Sequence, residues 1–163
     1  MSDWNALVRN EGPPVFGIAW RILGHAADAE DVVQEVFLEA HRLRQTRAVR
    51  NWPGFLRRLA TCRALDRLRQ RKPMASLDHL SLEAPPHGPE AVAVAKELAQ
   101  RLRAAVAQLP EREGAVFCLR YYEDLSYQQI AETLNVSPGA VAVALHKARA
   151  RLEEMLTEIV PGE

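Results

Sequence analysis

Apolar positions along this chain recur at three- and four-residue intervals, and no stretch alternates strictly between apolar and polar, so the pattern predicts helices and no strands. Over residues 28–42, Ala29, Val33, Val36, Phe37 and Ala40 form one apolar stripe. Asp28, Asp31, Glu35 and Glu39 fall on the opposite side, with Gln34 beside them. Asp28 and Asp31 are expected to favour the start of this helix by capping and by the helix dipole. A second helix is expected over 52–71, with Leu56, Leu59, Ala60, Cys62, Leu65 and Leu68 as its apolar contacts. A third is expected over 138–152, where Val141, Leu145, Ala148 and Leu152 share a face. Breaks are expected at Gly12-Pro13-Pro14, Gly24, Trp52-Pro53-Gly54, Pro73, the proline-rich stretch 85–89, and Pro110.

Capping chemistry marks one pair of helices closely. Ser126 and Gln129 form a Ser-x-x-Gln capping box, and Ser137-Pro138 supplies an N-cap followed by a first-turn proline. Asn135 lies between them and tolerates the left-handed conformation of a tight turn. The spacing predicts a helix-turn-helix, whose second helix can enter a major groove. The fold class expected is all-α: two small helical domains, at 4–72 and 91–160, joined by a flexible linker at 73–90 that holds four of the ten prolines and no sustained periodicity.

Composition sharpens this picture at two points. The 163 residues are 48% hydrophobic and 26% charged, which is globular, and no run is long and apolar enough to span a bilayer. Residues 1–5 show no basic segment leading into an apolar core, so no signal peptide is expected and the cytoplasm is the expected location. The net charge is zero, yet from 42 to 72 the arginines and Lys72 are interrupted by one acid, Asp66, while acids gather just before and at the chain end. Such a run without interspersed glutamates fits phosphate contact, the alternative being an ordinary solvated face. The polar, basic stretch 44–51 is the better candidate for touching an unpaired base, and Trp52 reads as a core plug. The acidic side of 28–42 is open to two readings, a solvated and capping face or a docking surface for a basic partner. Cys62 and Cys118 stand apart in helical patterns and read as reduced core residues, and the scattered histidines offer no metal-ligand spacing, so no metal or cofactor is expected.

Three segments together resemble bacterial RNA polymerase sigma factors. Asp28-Ala-Glu-Asp-Val-Val-Gln-Glu-Val-Phe-Leu-Glu-Ala40 is similar to their polymerase-binding helix. Residues 52–72 resemble the promoter-opening helix that follows it. Leu109-Pro-Glu-Arg-Glu leads, as in that family, into a C-terminal helix-turn-helix. The short layout resembles the extracytoplasmic-function (ECF) group, which keeps regions two and four. The resemblance implies that Asp28, Asp31, Gln34 and Glu35 dock on the β′ clamp of core RNA polymerase, with region four reaching the β flap. It implies that Arg44, Arg47, Arg50, Asn51, Arg57, Arg58, Arg63 and Arg67 hold the minus-ten element. It implies that the minus-thirty-five element is met by Ser137, Gly139, Ala140, Val143, Ala144, Lys147, Arg149 and Arg151. A sigma factor is not an enzyme, binds promoter DNA, and is commonly restrained by an anti-sigma factor.

The chain departs from the family where Ala140, Ala142, Val143 and Ala144 replace the usual polar residues, and where Gly114 replaces an arginine. An apolar outer face of Ala140, Val143 and Ala144 can meet thymine methyls but makes no bidentate contact to guanine. Weak minus-thirty-five readout through shape and phosphates is expected, the alternative being a face that packs on protein. The competing function is a stand-alone helix-turn-helix regulator, against which stands the acidic and arginine-rich first half. An enzyme is disfavoured by the lack of a phosphate loop, a nucleophile elbow and a metal motif.

Overall fold

The chain's first twenty-residue helix crosses the proline pair expected to break it. In a computed structural model, which describes residues 3–71 and 88–159, α1 spans Trp4–Leu23 with Pro13 and Pro14 inside. An interior proline removes a hydrogen bond and costs about 3 kcal/mol. Burial of Val15, Ile18, Ala19, Ile22 and Leu23 on one face offsets that cost. The helix stops at Gly24, whose φ of 66° is left-handed and whose N–H returns to the Trp20 carbonyl at 2.6 Å.

Helix α2 (Ala26–Leu43) begins earlier than expected, and its cap is His25, not Asp28: the imidazole accepts from the Asp28 N–H at 3.3 Å. Its fully buried positions are Ala29, Val32, Val36 and Ala40. Val33 and Phe37 are only half-buried, so the apolar stripe is turned towards Val32. Helix α3 (Trp52–Gln70) buries Leu56, Ala60, Thr61, Ala64, Leu65 and Leu68, with the Thr61 hydroxyl satisfied by the Arg57 carbonyl at 2.8 Å. Trp52 joins Trp4 and Phe55 in an edge-to-face aromatic cluster beside the core, as its reading as a core residue required.

The second half comprises α4 (Gly88–Ala107), α5 (Glu111–Tyr121), α6 (Tyr127–Leu134) and α7 (Pro138–Ile159). Residues 88–90, assigned above to the linker, are the first turn of α4; the remainder of that stretch, from 73 to 87, lies outside the described residues. The helix-turn-helix forms as its capping chemistry dictates. Ser126 Oγ accepts from Gln129 N at 3.1 Å, and Gln129 Oε1 accepts from Ser126 N at 2.9 Å. Asn135 takes φ 57°, and Ser137 Oγ caps α7 through the Ala140 N–H at 3.1 Å. Val116, Leu119, Ile130, Val141 and Leu145 form its own small core.

The two halves also pack on one another. Leu65 and Leu68 of α3 belong to the same apolar cluster as Ala105, Val106, Leu109, Ala115 and Cys118. All regular elements among the described residues are helical, and none of these helices is long and apolar enough to cross a membrane.

Candidate nucleic-acid and partner interface

The arginine-rich helix is balanced in part, by Asp66 of its own sequence and by the acids of a neighbour. Arg63 Nη2 lies 2.6 Å from Glu39 Oε2, Arg71 Nη2 2.8 Å from Asp28 Oδ2, and Arg67 bridges Asp31 at 3.1 Å and Glu35. The Glu39 hydrogen bond raises the pKa of Arg63. At Arg67 burial acts downward, but the Glu35 hydrogen bond and the charges of Glu35, Asp31 and Asp28 outweigh it. The expectation that basic charge along 52–71 stays unpaired is therefore corrected: α2 and α3 lie side by side, and the acidic face of one meets part of the basic face of the other. These pairs are partly solvated, and such contacts contribute only about 0–1 kcal/mol each. A basic or acidic side chain of a partner, or a phosphate, can therefore compete for either member.

The cations left open lie around the entry to α3. Arg47 and Arg50 are exposed and, like Arg57 and Arg58, make no side-chain ion pair or hydrogen bond among the described residues. Arg44 stands 4.9 Å over the Trp4 ring. Arg58 lies seven positions beyond Asn51, about 10 Å along the helix axis. It also lines a cleft with Cys62, Glu111, Arg112, Ala115, Leu134 and Val136, so it faces the second half. Asn51 is the N-cap of α3, its Oδ1 accepting from the Gly54 N–H at 3.1 Å, a structural task that its sequence context did not distinguish from DNA contact.

On α2, Asp28 is engaged by Arg71 and lies 3.8 Å from Arg67, whereas Gln34 is exposed and free of hydrogen bonds among the described residues. Leu38, which the sequence reading passed over, is 60% exposed on the same outer side.

On α7, Ser137, Gly139, Val143, Lys147 and Arg149 are exposed and Ala140 is half-buried. Ala144 is a correction: at 6% exposure it belongs to the helix-turn-helix core, because it sits one turn from Val141 and beside Leu145 on the packed face. Arg149 donates to the Tyr121 hydroxyl and covers its ring. Arg151 Nε lies 2.8 Å from Glu113 Oε2, a charge contact without hydrogen-bond alignment, since that buried oxygen receives none. Lys147 alone of these three cations has no such partner among the described residues. Cys118 is buried and Cys62 half-buried, and both thiols are pushed up in pKa by burial.

Comparison with known proteins agrees with this order of parts. Residues 7–73 match the family model for Sigma-70 region 2, and residues 99–152 match Sigma-70, region 4. The ECF RNA polymerase sigma factor SigE of Mycolicibacterium smegmatis is 33% identical over 162 residues, covering 97% of this chain and 63% of the relative. The chain thus spans under two thirds of that relative's length. The ECF RNA polymerase sigma factor SigW of Bacillus subtilis is 29% identical over 157 residues, covering 89% of this chain and 84% of the relative. Among solved structures, the sigma factor RpoE of Bartonella quintana, crystallised with the anti-sigma factor NepR, superposes with a TM-score of 0.54 at 18% identity, covering 96% of this chain and 98% of that one, a likeness of fold. This chain belongs to the Sigma-70 family of RNA polymerase sigma factors, in its ECF group, with regions 2 and 4.

Proposed function

We propose that this protein is a promoter-specificity subunit: it binds core RNA polymerase in the cytoplasm and directs transcription to a particular set of promoters, by binding and not by catalysis. The observation that carries the reading is the succession, in one chain, of an acidic-faced α2, an arginine-lined α3 and a capped helix-turn-helix, matched by regions 2 and 4 in that order. In this reading α2 docks on the β′ clamp through Gln34 and through Asp31 and Glu35, which Arg67 shares. Asp28, held by Arg71, orients the helix. Region 4 meets the β flap.

Residues 44–51 with Arg57 and Arg58 meet the minus-ten strand first, and Arg63 and Arg67 follow if their carboxylates are taken over by the polymerase. Extruding a base costs a few kcal/mol, and single-strand contacts and stacking of roughly 1–3 kcal/mol per base can offset it. Helix α7 enters the minus-thirty-five groove with Ser137, Gly139, Ala140, Val143 and Lys147, and with Arg149 and Arg151 on phosphates. An anti-sigma factor is the expected restraint, and the Bartonella factor of like fold was crystallised in complex with one. The test is reconstitution: the purified chain added to core RNA polymerase is expected to give promoter-specific run-off transcripts from genomic templates. Transcripts equal in pattern to those of core alone would overturn it.

A further inference from the structure

Helix α2 has a second polar row beside the one that faces α3. Glu30, Gln34 and Leu38 follow at four-residue steps and so lie one above another on the outward side. All are exposed, and Glu30 and Gln34 make no hydrogen bond or ion pair among the described residues. The neighbouring acids Asp31 and Glu35 are held by Arg67. Leu38 is out of place in this row. It is 60% exposed, the most exposed of the large hydrophobic side chains among the described residues, although α2 buries its other large apolar residues wholly or in part against α1 and α3. An aliphatic side chain framed by carboxylates and an exposed amide has the layout of an interface anchor: apolar centre, polar rim.

Resting on the sigma-factor reading, we propose that Leu38 is the apolar anchor by which α2 seats on core RNA polymerase, in a hollow bordered by basic side chains. The frame around it argues for that occupant. Glu30 has no partner among the described residues, and Asp31, Glu35 and Glu39 are shared with Arg67 and Arg63 only in partly solvated pairs. The four carboxylates still outnumber Arg42, Arg63 and Arg67, so the complementary surface is basic. Anchor and frame then divide the task. Leu38 sets how long the complex lasts, because its burial is lost only on dissociation. The carboxylates set how fast and how salt-sensitively it forms.

The full-length chain, labelled at its C-terminus, is titrated with core RNA polymerase at low and high salt. For Leu38→Ala the dissociation constant is expected to rise about tenfold or more, through faster dissociation. Leu38→Met should stay within about threefold of wild type, because it keeps the volume and the apolar surface. Thermal midpoint and helicity should not move in either variant, the side chain being mostly in water. Glu30→Gln should instead slow association and flatten the salt dependence. Leu38→Ala binding with wild-type affinity would overturn the proposal, as would a wild-type chain that is dimeric alone and becomes monomeric as Leu38→Ala, since the anchor would then serve a second copy. A wild-type chain that binds no core at all would be a failure of the sigma-factor reading, seen before any variant is compared.

Discussion

Asn51 shows how one side chain can be asked to do two things. Its Oδ1 satisfies the Gly54 N–H, and Gly54 fits the arrangement because a Cβ there would lie 2.7 Å from Asn51 Nδ2. Replacing an N-cap asparagine by alanine costs typically ~1 kcal/mol. Asn51→Ala is therefore expected to lower the thermal midpoint by several degrees, whatever it does to DNA. Asn51→Asp separates the roles: it keeps the cap and adds charge favourable at a helix N-terminus, but places a carboxylate among Arg47, Arg50 and DNA phosphates. Its thermal midpoint is expected at or above wild type while affinity of the polymerase complex for a forked minus-ten probe falls. Equal affinity would restrict Asn51 to capping. His25, by contrast, gave no sequence signal as a cap, because aspartate three positions on carries the stronger capping propensity.

At the scale of elements, what could be read in advance was what is encoded locally. The Ser126–Gln129 box, the left-handed Asn135 and the Ser137 cap all lie within four residues of their partners, and all formed as expected. The face of Val141, Leu145, Ala148 and Leu152 was legible for the same reason, through periodicity alone. Helix α1 was not legible: Pro13-Pro14 is a local stop signal, and only tertiary burial of the following face overrides it. The α2–α3 ion pairs were invisible because their members are 24 to 43 residues apart. Ala144 was misassigned because a small residue next to exposed Val143 fits either face equally well.

With Ala144 withdrawn into the core, the outer face of α7 is smaller still: Gly139, Ala140, Val143 and then Lys147. None of the first three donates a side-chain hydrogen bond to a base edge. Scrambling the minus-thirty-five bases is accordingly expected to weaken the polymerase complex less than about tenfold. Lys147→Ala should weaken it on every sequence alike and lower the salt slope by about one. A loss above tenfold on scrambling would mean that α7 reads bases through groups other than these.

At the scale of the whole molecule, the two regions are held together by more than a chain link. Arg21 grips Glu123 with two hydrogen bonds of 2.8 and 2.9 Å, and Arg69 donates to the carbonyls of Ala107 and Leu109. Arg103, its pKa lowered by burial, donates to the Ile22 carbonyl and closes over Gly24, where a Cβ would lie 2.5 Å from its guanidinium carbon. Gly114, which in isolation reads as a helix-weakening substitution, sits on this contact: a Cβ there would meet Leu65 and Arg69 at 3.5 Å, in ordinary contact, so a longer side chain would have to find room between the halves.

Such an arrangement suits a resting state better than a promoter-bound one. A compact chain of this length has a radius of gyration of about 15 Å. Elements centred near positions minus ten and minus thirty-five are some 25 base pairs apart, on the order of 80 Å at the rise of B-DNA. Simultaneous contact with both elements therefore requires α3 and α5 to separate. Cys62 reports on this directly, since it lines the cleft between α3 and the α5–α6 corner while Cys118 stays sealed in the core. Alkylation of Cys62 is expected to be slow in the free chain and to quicken severalfold when core polymerase and promoter are added. Glu123→Arg, which sets like charges against Arg21, should quicken it in the free chain, with a larger radius of gyration in solution scattering. If labelling of Cys62 is unchanged by polymerase, and Glu123→Arg neither quickens it nor enlarges the chain, the clasp does not open in use and the two promoter elements must be met one at a time.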